Sequence, residues 1–68
     1  MQVNGKQVPL EAPMTLTQFL TQSGYRISRI VVERNLEIVP KEQYDTVMLS
    51  DSDTLEIITF MGGGSRKV

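Results

Sequence analysis

From Thr54 the chain reads Thr-Leu-Glu-Ile-Ile-Thr-Phe-Met-Gly-Gly-Gly-Ser-Arg-Lys-Val68, an apolar strand that runs straight into three glycines and a short basic tail. Side chains alternate across a strand, so Leu55, Ile57 and Thr59 share one face while Glu56, Ile58 and Phe60 share the other. Leu55 and Ile57 are the expected core residues. Glycine has no Cβ and tolerates backbone angles closed to other residues, so Gly62, Gly63 and Gly64 can thread a channel too narrow for any side chain. The reading is a rigid body over residues 1–61 and a flexible arm over 62–68, the arm being what a partner handles. Ile58 and Phe60, close to the arm and on the far face of the strand, have two readings. They form a docking patch for that partner, or they pack beneath the segment 36–49.

A chain of 68 residues is one small domain, near the limit at which a single apolar core carries folding unaided. It contains no cysteine and no histidine. Disulfides, cysteine metal sites, thiol nucleophiles and the usual general base are therefore excluded. A formal charge of −1, with its seven Lys and Arg scattered, gives no electrostatic footprint for nucleic acid. No apolar run has the length of a membrane span, and Met1-Gln-Val-Asn lacks the features of a secretory signal. A cytoplasmic protein is the expectation. Two of the basic residues lie beyond Gly64, so a chain ending there holds five basic and eight acidic side chains and a net charge of −3.

Read from the start, Met1 and Val3 alternate with Gln2, Asn4-Gly5 is a strong two-residue hairpin signal, and Val8 and Leu10 resume the alternation. Pro9 places the second strand at a sheet edge. Thr15 is an expected helix cap with Gln18 completing a capping box and Met14 stapling onto Phe19. Leu16, Phe19 and Leu20 fall on one helical face, and Gly24 is the stop. Ile30 to Arg34 is β-branched and reads as a central strand, Asn35 turns the chain, and Leu36 to Val39 is a shorter strand. Pro40 opens a helical turn through Tyr44. Val47-Met-Leu49 is a strand or a buried loop, and Asp51-Ser-Asp53 is a polar turn into the last strand. A hairpin, a helix and further strands make an α+β fold, a mixed sheet with one main helix packed across it.

The charged residues suggest no catalysis. Glu33 and Arg34 point to opposite faces of a strand and read as solvated or rim positions. Asp51 and Asp53 lack further oxygen donors for a metal. Glu37, Glu42, Asp45 and Glu56 have no spacing that converts into acid/base work. An enzyme is the least favoured class.

Three blocks carry a resemblance: the opening Met-Gln-Val-Asn-Gly-Lys, the middle Val-Val-Glu-Arg-Asn-Leu-Glu-Ile-Val-Pro-Lys-Glu-Gln-Tyr, and the closing Asp-Ser-Asp-Thr-Leu-Glu-Ile-Ile-Thr-Phe-Met-Gly-Gly-Gly. Together they resemble the sulfur-carrier proteins of thiamine (thiazole) biosynthesis, the ThiS family, over most of positions 1–64. The resemblance implies the ubiquitin-like β-grasp fold, with four to five strands and the first and last strands parallel neighbours. It implies no catalytic residue and no cofactor bound by this chain. It implies instead that the carboxylate of Gly64 is adenylated by a ThiF-type enzyme using ATP and converted to a thiocarboxylate with sulfur from a donor such as a cysteine desulfurase. The sulfur then passes to thiazole synthase. Gly62 and Gly63 are the implied tail-recognition positions, and Ile58 and Phe60 the docking surface that the cost of ordering the arm calls for.

The chemistry fits the residue types. A terminal carboxylate, with a pKa of about 3.3–3.7, is an anion and a poor electrophile at neutral pH, and adenylation supplies its leaving group. The departure from the family pattern is Ser65-Arg-Lys-Val68, which puts an amide where the carboxylate is needed. Removal by a processing protease, an artefact of how the chain was made, and lost carrier function are the three explanations, the last ranking below the others. Other readings are a carrier for another pathway such as molybdopterin, cysteine or a secondary metabolite, a ubiquitin-like modifier joined through Gly64, and a β-grasp interaction domain.

Overall fold

The computed structural model describes residues 1–60. The expected boundary at 61/62 and the residues Gly62, Gly63 and Gly64 lie outside them.

The opening hairpin forms as its turn signal requires. Strand β1 (Gln2–Val3) pairs antiparallel with β2 (Lys6–Gln7) across Asn4 and Gly5, whose φ values of 52° and 82° are those of a two-residue turn matched to strand twist. The pairing continues one step past β2, where Val8 N–H donates to Met1 O at 2.8 Å. Pro9 follows directly, and β2 is a sheet edge as its proline predicts.

Helix α1 (Leu16–Gln22) starts at the predicted cap. Thr15 Oγ1 accepts from Gln18 N at 3.1 Å and Gln18 Oε1 accepts from Thr15 N at 2.8 Å. At its other end Gly24, at φ 83°, lets Gly24 N–H reach Thr21 O and Tyr25 N–H reach Leu20 O, the paired bonds of a Schellman stop. The helix buries Leu16, Phe19 and Leu20, the face read from the sequence.

Strand β3 (Met14–Thr15), just before the helix, pairs antiparallel with β6 (Met48–Leu49) in a small separate sheet. This places Met48 and Leu49 in a strand, with Val47 just before it, and gives Thr15 a sheet pairing beside its cap. A two-residue strand is too short to show a period, so its partner could not be read from the sequence. After α1 a 3₁₀ turn at Ile27–Arg29 leads into β4 (Ile30–Arg34). Asn35 and Leu36, both at positive φ, turn the chain into β5 (Glu37–Ile38). The turn after Pro40 is 3₁₀ over Lys41–Gln43, with Pro40 itself extended just outside it. The chain closes with β7 (Thr54–Thr59).

The main sheet has the order β2-β1-β7-β4-β5. Its centre is therefore the last strand, parallel to β1 and antiparallel to β4, as the family resemblance implies. Ile30 and Val32 from β4 and Leu55 and Ile57 from β7 meet Leu16, Phe19 and Leu20 of the helix in one core, closed by Met1, Leu49 and Tyr44. Each fully buried aliphatic side chain contributes roughly 1.5–3 kcal/mol. No helix of the described residues is long and apolar enough to cross a membrane.

Asp51-Ser-Asp53 is a turn, and its carboxylates are structural. Asp53 is 5% exposed and accepts from Ser50 N at 2.9 Å, Asn35 Nδ2 at 3.0 Å and Arg34 Nε at 3.1 Å. Arg34 is thus tied into the fold rather than solvated at a rim as its strand position suggested. Glu33, its neighbour, does point to the opposite face. Burial alone pushes the Asp53 carboxyl up, but the Ser50 N–H, the Asn35 amide and the Arg34 guanidinium outweigh it and hold it below the usual carboxylate value. Asp51 is held low by the Met1 ammonium, 2.7 Å from Oδ1, and by the Leu10 N–H.

Candidate functional site

With Leu55 and Ile57 committed to the core, the residues between them must face the other way. Glu56 lies directly across from Glu33, and Ile58 directly across from Val31. Ile38 of β5 stands opposite Glu33. The face of the sheet away from the helix is therefore an open surface with an apolar strip, Ile58, Val31 and Ile38, and two carboxylates side by side. Ile58 is 52% exposed and Phe60 45%, which excludes the reading that they pack beneath residues 36–49. Phe60 is the last described residue and Ile58 lies two positions before it.

Phe60 is anchored from the backbone, its N–H donating to Arg29 O at 3.0 Å. At Phe60 the central strand is thus held on its β4 side, β1 pairing with it only at Thr54 and Leu55. Phe60 and Thr59 share a groove of about 290 Å³ with Gly24, Tyr25, Arg26 and Arg29. Among the described residues no group of three His, Cys, Asp or Glu is placed to hold a metal.

One surface residue escaped the sequence reading. Leu36 is 89% exposed and sits at φ 72°. That conformation costs a side-chain-bearing residue about 1–2 kcal/mol relative to right-handed backbone. A glycine or asparagine would relieve it. A large apolar residue held there at a hairpin tip, beside Glu33 and Glu56, extends the open face, and only its turn position signalled it.

The profile of the ThiS family matches residues 1–64. The chain belongs to the ThiS family. The sulfur carrier protein ThiS of Bacillus subtilis is 45% identical over 65 residues, spanning 94% of this chain and 98% of that one. The crystal structure of a thiamine biosynthesis protein (ThiS) from Geobacter metallireducens superimposes with a TM-score of 0.78 at 30% identity, covering 93% of this chain and 96% of that one. The β-grasp architecture is thereby shown by a solved relative. A chain named thiazole synthase in Paramagnetospirillum magneticum is 46% identical over 63 residues, but this ThiS-family chain spans only 19% of its length. In that relative a ThiS-like segment is one part of a much longer polypeptide. ThiS proteins are small sulfur carriers of thiamine biosynthesis, acted on by enzymes and not catalysts themselves.

Proposed function

We propose that this chain carries sulfur for thiazole formation as a thiocarboxylate on Gly64, once residues 65–68 are absent. The observation that carries the reading is that the family match ends on Gly64, the third glycine of the run beyond the central strand. In a ThiF-type enzyme the Gly64 carboxylate attacks the α-phosphorus of ATP and pyrophosphate leaves. The outer sulfur of a persulfide on a donor such as a cysteine desulfurase then attacks the acyl carbon and AMP leaves. A second thiol on the donor or the enzyme cleaves the acyl disulfide so formed, leaving itself in a disulfide and releasing the sulfur on Gly64. The resulting thiocarboxylate delivers sulfur to thiazole synthase, a partner favoured by the long relative of that name. A chain without cysteine has no side chain to carry sulfur, which fits attachment at the terminus. The steps use ATP and are assigned to the cytoplasm.

Gly62 and Gly63 are the positions that enter the activating channel. Ordering them costs roughly 1–2 kcal/mol per residue, and the open face beside them, with Ile58 and Phe60, is where the partner recovers it.

Intact mass of the protein from its own host, grown without thiamine, tests the reading. The expected species ends at Gly64, a fraction of it heavier by one oxygen-to-sulfur exchange. Isopeptide adducts on other proteins would make it a modifier, and a chain retaining residues 65–68 while thiamine is being made would end the carrier reading.

A further inference from the structure

Three of the five basic side chains among the described residues gather at the end of the molecule from which the arm departs. Arg26 and Arg29 line the groove that also holds Thr59 and Phe60, and the Arg29 carbonyl accepts the Phe60 N–H. Lys41, from the far side of the sheet order, reaches back to the same turn, its Nζ donating to Ile27 O. None of the three lies in an ion pair among the described residues, where the pairs are Met1 with Asp51 and Arg34 with Asp53. Arg26 and Arg29 are exposed, and neither is needed to close the core.

This placement contrasts with the rest of the body. Glu33 and Glu56 stand together on the open face, and residues 1–64 carry a net charge of −3. The groove beside the last described strand residues is locally positive, lined by two arginines and no carboxylate. Random encounter of an acidic carrier with an acidic surface would be repelled, whereas a local positive pole turns the molecule so that its arm end arrives first.

We infer that Arg26, Arg29 and Lys41 form a cationic lip at the arm root that engages a carboxylate-rich surface on the enzyme receiving the arm. The lip rests on the carrier reading above and adds to it a contact separate from the apolar strip. Its work is to orient and accelerate the encounter. It touches no reacting atom.

The test is ATP–pyrophosphate exchange by the host's ThiF-type enzyme, with the chain ending at Gly64 as the varied substrate, from low to high sodium chloride. Arg26→Glu with Arg29→Glu lowers kcat/KM for the carrier at least about tenfold at low salt, with kcat unchanged. The gap narrows as salt shortens the screening length from about 30 Å at 10 mM to below 10 Å above 100 mM. Should the charge-reversed pair fail to fold, Arg26→Gln with Arg29→Gln carries the same test with a smaller, equally salt-sensitive loss. A loss that does not change with salt, or no loss, overturns the lip. So does a raised KM for ATP at an unchanged KM for the carrier, which would assign the cations to nucleotide phosphates. If the unaltered chain ending at Gly64 supports no exchange at all, the carrier reading fails and the lip with it, and the two failures are thus distinct.

Discussion

The side-chain amide of Asn4 pairs with the backbone of Ile57 as a strand residue would, Oδ1 accepting from Ile57 N at 2.7 Å and Nδ2 donating to Ile57 O at 3.2 Å. Backbone bonds from Gln2 N to Asp53 O and from Asn4 N to Leu55 O form the parallel ladder up to this point. There the first strand turns away into its hairpin, and the Asn4 side chain supplies the next rung. It does so while holding φ 52°, a conformation asparagine tolerates better than most residues. Asn4→Gly keeps the turn and loses both bonds, and is expected to cost about 1–3 kcal/mol. Asn4→Ala loses the bonds and strains the turn, and should cost about 1 kcal/mol more. Urea denaturation of both variants separates the two effects, and equal losses would mean that the turn is unstrained.

Asp53 gives the fold an acid limit. Its folded-state pKa is depressed, so its contribution is fully present above the unfolded value of about 3.9 and is lost as pH falls through the lower folded value. Asp51 is shifted in the same direction and adds to the slope. Asp53→Asn removes the carboxylate that holds Arg34 and is expected to destabilise at pH 7 by about 1–3 kcal/mol. The difference from the unsubstituted protein should shrink steadily below pH 4. A difference of constant size down to pH 2 would show that packing rather than charge is what the aspartate provides.

What could be read from the sequence was what repeats or caps locally. The Thr15 and Gln18 capping box, the Gly24 stop and the Asn4-Gly5 turn each follow from a few adjacent residues, and each stands where the sequence placed it. Simple alternation also gave the face of Ile58 and Phe60, once Leu55 and Ile57 were given to the core, but not whether that face was open or covered by residues 36–49. That the first and last strands run side by side came from family resemblance, because no local pattern records which distant strand is a neighbour. The pairing of Met14 with Leu49 was missed for the same reason. Arg34 was misjudged because strand alternation gives the face of a side chain but not the buried carboxylate that waits for it from a turn 19 residues later. The basic groove beside Phe60 was invisible as a group, since Arg26 and Arg29 look scattered until the 3₁₀ turn sets them beside the last strand.

Glu33 and Glu56 face each other across β4 and β7 on the open side of the sheet, and like charges directly opposite are destabilising. Glu56→Lys turns the repulsion into attraction and is expected to raise the unfolding free energy by about 0.5–1 kcal/mol at low ionic strength. The gain should fall as salt is added. Thermal melts at two salt concentrations check it, and a variant no more stable than its parent would show that the two carboxylates already avoid each other in solution.

Ile57 and Phe60 lie close along one chain yet differ sharply in burial. Ile57 is buried against the helix and Phe60 is 45% exposed, so truncating each reports on a different quantity. Ile57→Ala leaves a hole in the core and should cost about 2–5 kcal/mol, a large share of the roughly 3–10 kcal/mol that a domain of this size commands. Phe60→Ala removes contacts that are only half made within the chain, and its effect on stability should stay below about 1 kcal/mol. If the proposed docking on a ThiF-type enzyme holds, its effect on affinity for that enzyme should be larger, about 1–2 kcal/mol or more, because aromatic residues within an interface carry much of the binding free energy. Calorimetric titration of that enzyme with each folded variant, alongside thermal melts, makes the comparison. Were Phe60→Ala to melt as low as Ile57→Ala while binding normally, Phe60 would belong to the core and the docking face would have to be sought elsewhere on the sheet.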